Sequence, residues 1–314
     1  MNGDAFNGYP PVIGEAPTER AEAVLRAVGE IEAADALAAS AKGPAGVTFA
    51  GGVRRLFPQR AWAHTSHAFG HIPLLGDRES PVEITHVGNV RPDTALAGAS
   101  VTVSLDRLHV ADYPGRGMHH VLFDFQILSG RASQEPDSYH FSITQRVREG
   151  QRAALIGQPL FVNLPVPAEG LALRCYTLNV KNEEDEKLIA FLDSPVFRAG
   201  LRIGSVLHPA VGMLGQMTAG LTRALASPSR RNVPVQDIRL GLGFSRVPVR
   251  AALAAGAYVA VQIPESRVLI WQWDEWRFYP STGHIARADD QTSLLPYNHI
   301  VLGVNRHDDS SGGD

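Results

Sequence analysis

Cysteine is almost absent from this chain: Cys175 stands alone, so no intrachain disulfide can form, which fits a reducing compartment. Lysine is nearly as scarce, at Lys42, Lys181 and Lys187 only, and arginine supplies almost all the positive charge. With the many alanines, that usage points to a GC-rich bacterial gene. No basic run is present to track phosphates, and the formal net charge of -3 sets up no global field that would draw nucleic acid. Catalytic signatures are missing too, with no GxSxG elbow, HExxH pair, P-loop or GxGxxG. A triad assembled from distant residues leaves no such trace, so an enzyme is not excluded. Met1 to Pro17 lack the basic and apolar regions of a signal peptide, which makes the cytoplasm the expected location.

What the chain does have is β patterning. Its 314 residues are 44% hydrophobic, ample for a large core. Val101, Val103 and Leu105 alternate with Thr102 and Ser104; Val121, Phe123, Phe125 and Ile127 repeat the period, and Phe141, Ile143 and Gln145 follow more weakly. Such alternation predicts antiparallel strands with one face in a core. Further strands are expected from Pro159 to Val166, Leu171 to Val180, Ile238 to Phe244, Tyr258 to Ile263, Leu269 to Trp273 and Ile300 to Val304. Helix is expected from Thr18, a plausible N-cap, to Ala41, and again after Asn182, whose first turn holds Glu183, Glu184, Asp185 and Glu186. A second helix starts at Ser194-Pro195 and runs, interrupted by Pro209, toward Leu225. The order predicts an α+β protein: an antiparallel β-sandwich with a helical insertion at about 182–226 and an N-terminal helix. Residues 1–45 are read as a flexible segment carrying that helix, 46–307 as the body and 308–314 as a disordered tail. The N-terminal helix, with its narrow Ala-rich stripe, is the expected docking element for a partner.

The strand–turn–strand from Leu105 to Phe125, with Asp112-Tyr113-Pro114-Gly115 between, resembles the early part of a C2-type sandwich. That resemblance implies loop aspartates at one end that bind calcium and dock on lipid, and Asp112 falls at the first such position. Met118-His119-His120 stands where the family has Asp-Pro-Tyr, and a second aspartate pair is missing, so calcium binding is not carried over. The block from Leu171 to Asn298, with "NVKNEEDEK", "VPVQDIRLGLGFS", "VQIPES" and "LLPYNH", resembles an uncharacterised bacterial family. This second resemblance implies a bacterial origin and no activity.

Three groups of residues are candidates for a site. His64, His67 and His71 would share one face of a helix and hold zinc, with His86 joining from a following strand, but Gly70 and Pro73 oppose that helix. Arg223, Arg230, Arg231, Arg239, Arg246 and Arg250 face one acid, Asp237, in their stretch of sequence. Of these, Arg223, Arg230, Arg231 and Arg246 are the candidates for binding an acidic partner or anion. Just before them, Ile203 to Thr222 carries no formal charge and approaches the roughly 20 residues of a bilayer span, although His208, Pro209, Gln216 and several glycines break it. Trp271, Trp273 and Trp276 form either an aromatic platform or the closing core of the last strands.

These features favour a non-enzymatic bacterial interaction or effector module that acts through protein surfaces. Its expected partner is a protein, with anionic lipid as the alternative and no nucleic acid. No cofactor is expected unless the histidines hold zinc. Two rivals stay open: a metal-dependent hydrolase using the histidine cluster, and a membrane-perturbing effector using segment 203–222.

Overall fold

The computed structural model describes residues 9–41, 60–76, 79–129, 137–152, 157–181, 185, 220, 222–227, 230–245 and 251–307. Its strands are, in chain order, β1 (Ser66–Pro73), β2 (Val82–Glu83), β3 (Thr85–His86), β4 (Ser100–Val110), β5 (Met118–Ser129), β6 (Asp137–Arg148), β7 (Gln151–Arg152) and β8 (Gln158–Pro165). They continue as β9 (Leu171–Val180), β10 (Val233–Gly243), β11 (Ala251–Ala252), β12 (Gly256–Ile263), β13 (Trp276–Tyr279), β14 (His284–Arg287) and β15 (His299–Arg306). Nearly all pair antiparallel; the β10–β11 contact is parallel.

Among the described residues these strands form three sheets. One runs β3-β1-β12-β15-β4-β7, with β8 also on β4; the second runs β11-β10-β9-β5-β6; the third is β14-β13-β2. The first two sheets enclose one apolar core, in which Val101, Val103 and Leu105 of β4 meet Phe123, Phe125 and Ile127 of β5. Phe123 is fully buried and its ring stacks on Phe125 at 6.1 Å. These are the alternating residues of the sequence, so period two has become one face of each sheet.

The third sheet lies on the opposite face of the first. Val259, Val261 and Ile263 of β12 pack there with Trp273, Trp276, Phe278 and Ile285. Their neighbours Tyr258 and Ala260 point into the main core. Apolar surroundings on both faces explain why β12 reads as a nearly continuous apolar run rather than an alternation. Gly70 of β1 is the contact that lets this lobe close, because a Cβ there would stand 2.5 Å from Ile84 and 2.9 Å from the Trp273 ring.

The N-terminal region departs from expectation. Its helix is two helices, α1 (Thr18–Ala27) and α2 (Ile31–Ala41), separated where Gly29 takes φ +84°. Pro17, not Thr18, occupies the N-cap, without a side-chain hydrogen bond. Leu25, Ala34 and Leu37 belong to the main core, so the pair is structural and its apolar stripe is not open for docking. Residues 9–17 are fastened as well: Ile13 N–H donates to the Pro234 carbonyl at 2.7 Å, and Tyr176 OH donates to that of Pro10 at 2.9 Å. Val12 and Ile13 are each 2% exposed, which is not the mobile opening that polar composition suggests.

The expected strand from Leu269 to Trp273 is instead a pair of 3₁₀ turns, Glu265–Ile270 and Trp273–Glu275. Pro264 ends β12 because it has no N–H to continue the ladder, and its carbonyl accepts from Arg267 N–H to close the turn. Of the expected helices between Asn182 and Leu225, only Asp185 and the last turns near Thr222–Leu225 fall within the described residues; the tail 308–314 lies outside them. Among the described residues, no helix is long and apolar enough to cross a membrane. The segment on which the membrane-perturbing alternative rests, 203–222, is almost wholly outside them.

Candidate functional site

The histidines fall on a strand, not a helix. His67 and His71 lie four residues apart on β1, about 13 Å along an extended chain, which is too far to share one ion. His64 is buried just before β1, and its carbonyl accepts from the Gln262 side chain. His71 packs edge-on against Tyr258 at 5.0 Å. Burial pushes the imidazoles of both His67 and His71 down to about 4, keeping them neutral near pH 7. His86 is exposed on β3 opposite Gly70, and its Nδ1 accepts from Gly88 N–H at 3.1 Å. Among the described residues, no three His, Cys, Asp or Glu side chains are grouped to hold a metal ion.

The arginines also separate. Arg223 is exposed on the last helical turns, with its guanidinium 5.0 Å from the Tyr9 ring centre. Arg230, expected to reach out to a partner, pairs instead with the buried carboxylate of Asp185. The other oxygen of Asp185 accepts from Asn232 Nδ2 at 2.6 Å. Arg231 is exposed, and Arg246 lies outside the described residues. Arg239 is committed to Asp237, which also takes a two-point bond from Arg174 at 2.7 and 2.9 Å. Burial works against the charge of Asp237, but the two guanidiniums outweigh it and hold the carboxyl below its ordinary range.

A charged cluster without a local sequence motif sits where the β4–β5 connection crosses between the sheets. Arg60 stands 3.4 Å from Glu30 and 3.5 Å from Asp112. His119 is fully buried; its Nδ1 accepts from Asn179 Nδ2 at 3.1 Å and faces Lys181 Nζ at 3.3 Å. Those neighbours are donors, so the ring proton sits on Nε2, which faces Glu149 Oε1 at 3.4 Å. Burial, followed by the Lys181 charge, pushes His119 down to about 4. Asp112 is pushed up to about 6, first by burial and then by Glu149 and Glu30, against the opposing pull of Arg60. The cluster ties the α1–α2 connection to the sheets, with Gly115 N–H donating to Glu30 at 3.2 Å. Cys175 is inert in the core, its thiol pushed up by burial.

The tryptophans close the small lobe and frame its tip. Trp271 stacks on Trp276 at 5.9 Å, meets Trp273 edge-on at 5.5 Å and touches Tyr297 at 5.9 Å. Trp273 and Trp276 are buried, so they form core rather than an open platform. Immediately before them, Val268, Leu269 and Ile270 are 43%, 97% and 69% exposed. Acids border this tip: Glu265 at its start, and Asp274 and Glu275 beyond Trp271, all exposed. Apolar patterning assigns Leu269 to a strand and so inward; Pro264 is the local signal for a turn.

Comparison with known proteins returned no matching family, no matching curated protein and no matching solved structure.

Proposed function

We propose that this chain is an interaction module, a β-sandwich of C2 type, that docks on a protein partner through the Val268–Ile270 tip. The observation that carries this reading is Leu269, a leucine 97% exposed between two further exposed aliphatic residues. Single exposed apolar side chains need no explanation, but a contiguous group at the end of a well-packed lobe is a mark of a binding surface. Leu269 is shaped to serve as the anchor that enters a partner's pocket, with Arg267 and the bordering acids as its polar rim. Glu265, Asp274 and Glu275 also favour a protein over an anionic membrane, whose surface would repel them. The lone buried cysteine and the arginine-rich composition support a cytoplasmic, bacterial setting for the same reading.

A photoreactive amino acid placed at position 269 tests the proposal in the producing cells, with the exposed α1 position Glu19 as control. A discrete protein adduct from position 269 and not from position 19 is the expected result. Equal adducts from both, or none from either, would contradict docking through the tip.

A further inference from the structure

The outer face of the five-stranded sheet carries a polar row that the interaction reading does not use. Asp124 lies in the middle of the apolar run of β5 and is 2% exposed. A buried carboxylate is costly, and an apolar residue of similar size would stabilise such a sheet position better. Among the described residues two hydroxyls bond it and an imidazole stands farther off. Tyr9 OH donates to Oδ2 at 2.5 Å, Ser142 OH donates to Oδ1 at 3.3 Å, and His140 Nδ1 stands 3.9 Å from Oδ1.

The other side of His140 completes a chain. Its Nε2 lies 3.1 Å from the hydroxyl of Ser138, which shares its face two residues earlier on β6 and is exposed. Gln126 Nε2 donates to the same hydroxyl oxygen at 3.0 Å, which leaves the Ser138 proton directed at His140. An acceptor at Nε2 puts the ring proton on Nδ1, the nitrogen that faces Asp124. Register explains the convergence: Gln126 pairs with His140 and Asp124 with Ser142, so the carboxylate is the diagonal neighbour of the imidazole.

We infer that Ser138, His140 and Asp124 form an acyl-transfer relay that acts on carboxylic esters. This goes beyond the docking reading and stands independently of it. Ser138 Oγ attacks the ester carbonyl carbon while His140 Nε2 takes the hydroxyl proton. The tetrahedral adduct collapses as its bond to the alkoxy oxygen breaks, and the alcohol leaves with the proton from His140. Water, activated by the same imidazole, then attacks the acyl-serine and releases the carboxylic acid, so ester and water become acid and alcohol. Gln126 Nε2 is placed to donate to the oxyanion, and Asp124 holds the imidazole and offsets its charge. The 3.9 Å separation is longer than a hydrogen bond, and the relay requires it to shorten in the substrate complex, as catalytic hydrogen bonds do on complex formation. Ser138 lies open on the sheet, so the expected substrates are small activated esters rather than ones that need an enclosing pocket.

The full chain treated with a fluorophosphonate and with p-nitrophenyl acetate tests the relay. The expected result is a mass-mapped adduct on Ser138, with labelling and ester turnover at least tenfold lower in Ser138→Ala and His140→Gln. Ser138 is exposed and glutamine is close to histidine in size and polarity, so these two variants decide between the outcomes, each with its melting transition compared with the parent. Absence of an adduct on Ser138, or labelling that is unchanged in folded His140→Gln, would overturn the inference. Docking through the tip is untouched by either outcome, because its crosslink reads a different surface.

Discussion

The two-sheet body and the small three-stranded lobe are packed by the same physics but end differently at their surfaces. In the body, the large apolar residues of β4 and β9, and of β5 beyond its first residue, are inside, and the exposed ones, such as Ile31, Met118 and Val162, stand singly. The lobe also has a dry core, built from Trp273, Trp276, Phe278 and Ile285, yet it leaves Val268, Leu269 and Ile270 outside in succession. A chain that can bury a tryptophan cluster has apolar capacity to spare one residue away. That the tip remains out therefore argues for a surface kept for contact, while the body supplies stability.

The largest expected effect breaks the body. Phe123→Ala removes a fully buried ring and should cost about 3–5 kcal/mol in chemical denaturation. Slightly smaller is Asp237→Ala, which leaves Arg174, 1% exposed, without its two-point partner; about 3 kcal/mol is expected, and Asp237→Asn should recover part of it. Gly70→Ala tests the lobe, since its methyl would strike Ile84 and the Trp273 ring; a loss of about 1–3 kcal/mol with altered tryptophan fluorescence is expected.

Acid should weaken the body, because the buried histidines face it: His71 packs on Tyr258, His67 on Phe69, and His119 beside Asn179. His67, His71 and His119 have folded-state values lowered to about 4, so the unfolded chain takes their protons first. Their stabilisation is full above about pH 6.5 and is lost as pH falls toward 4. Asp112, raised to about 6, acts in the opposite sense, its contribution being full below its ordinary range and lost as pH rises through 6. Burial raises Asp106 and Glu149 in the same sense as Asp112, but the loss from the three histidines begins at about pH 6.5, above the ordinary range of carboxyls, so Tm should fall between pH 7 and pH 5. A Tm that rises on acidification would mean that the histidines are not held neutral.

Much of the body was legible because period two maps directly onto sheet faces: Val121 to Ile127 and Leu171 to Val180 lie in β5 and β9 as their pattern implies. The N-terminal region was not, since Ala-rich helices such as α1 and α2 present too little apolar area to reveal that Leu25 and Leu37 enter the core. Charged networks were the least legible. Asp124, Arg174 and Asp237 each interrupt an apolar run, which is a local signal, but their partners lie on other strands and come together only through register. The histidine spacing would serve a metal only on a helix, which Gly70 and Pro73 already opposed, and both residues lie in strand β1.

The smallest stability effect carries the functional claim. Leu269→Asp should leave Tm and denaturation within about 0.5 kcal/mol of the parent, because the side chain is 97% exposed. The direct measurement is competition: excess unlabelled parent chain, or the same excess of Leu269→Asp, is added to the reaction that forms the crosslink from position 269. If Leu269 anchors the partner, the parent suppresses the adduct and the equally stable variant does not. A variant that competes as well as the parent would show that docking does not use the tip.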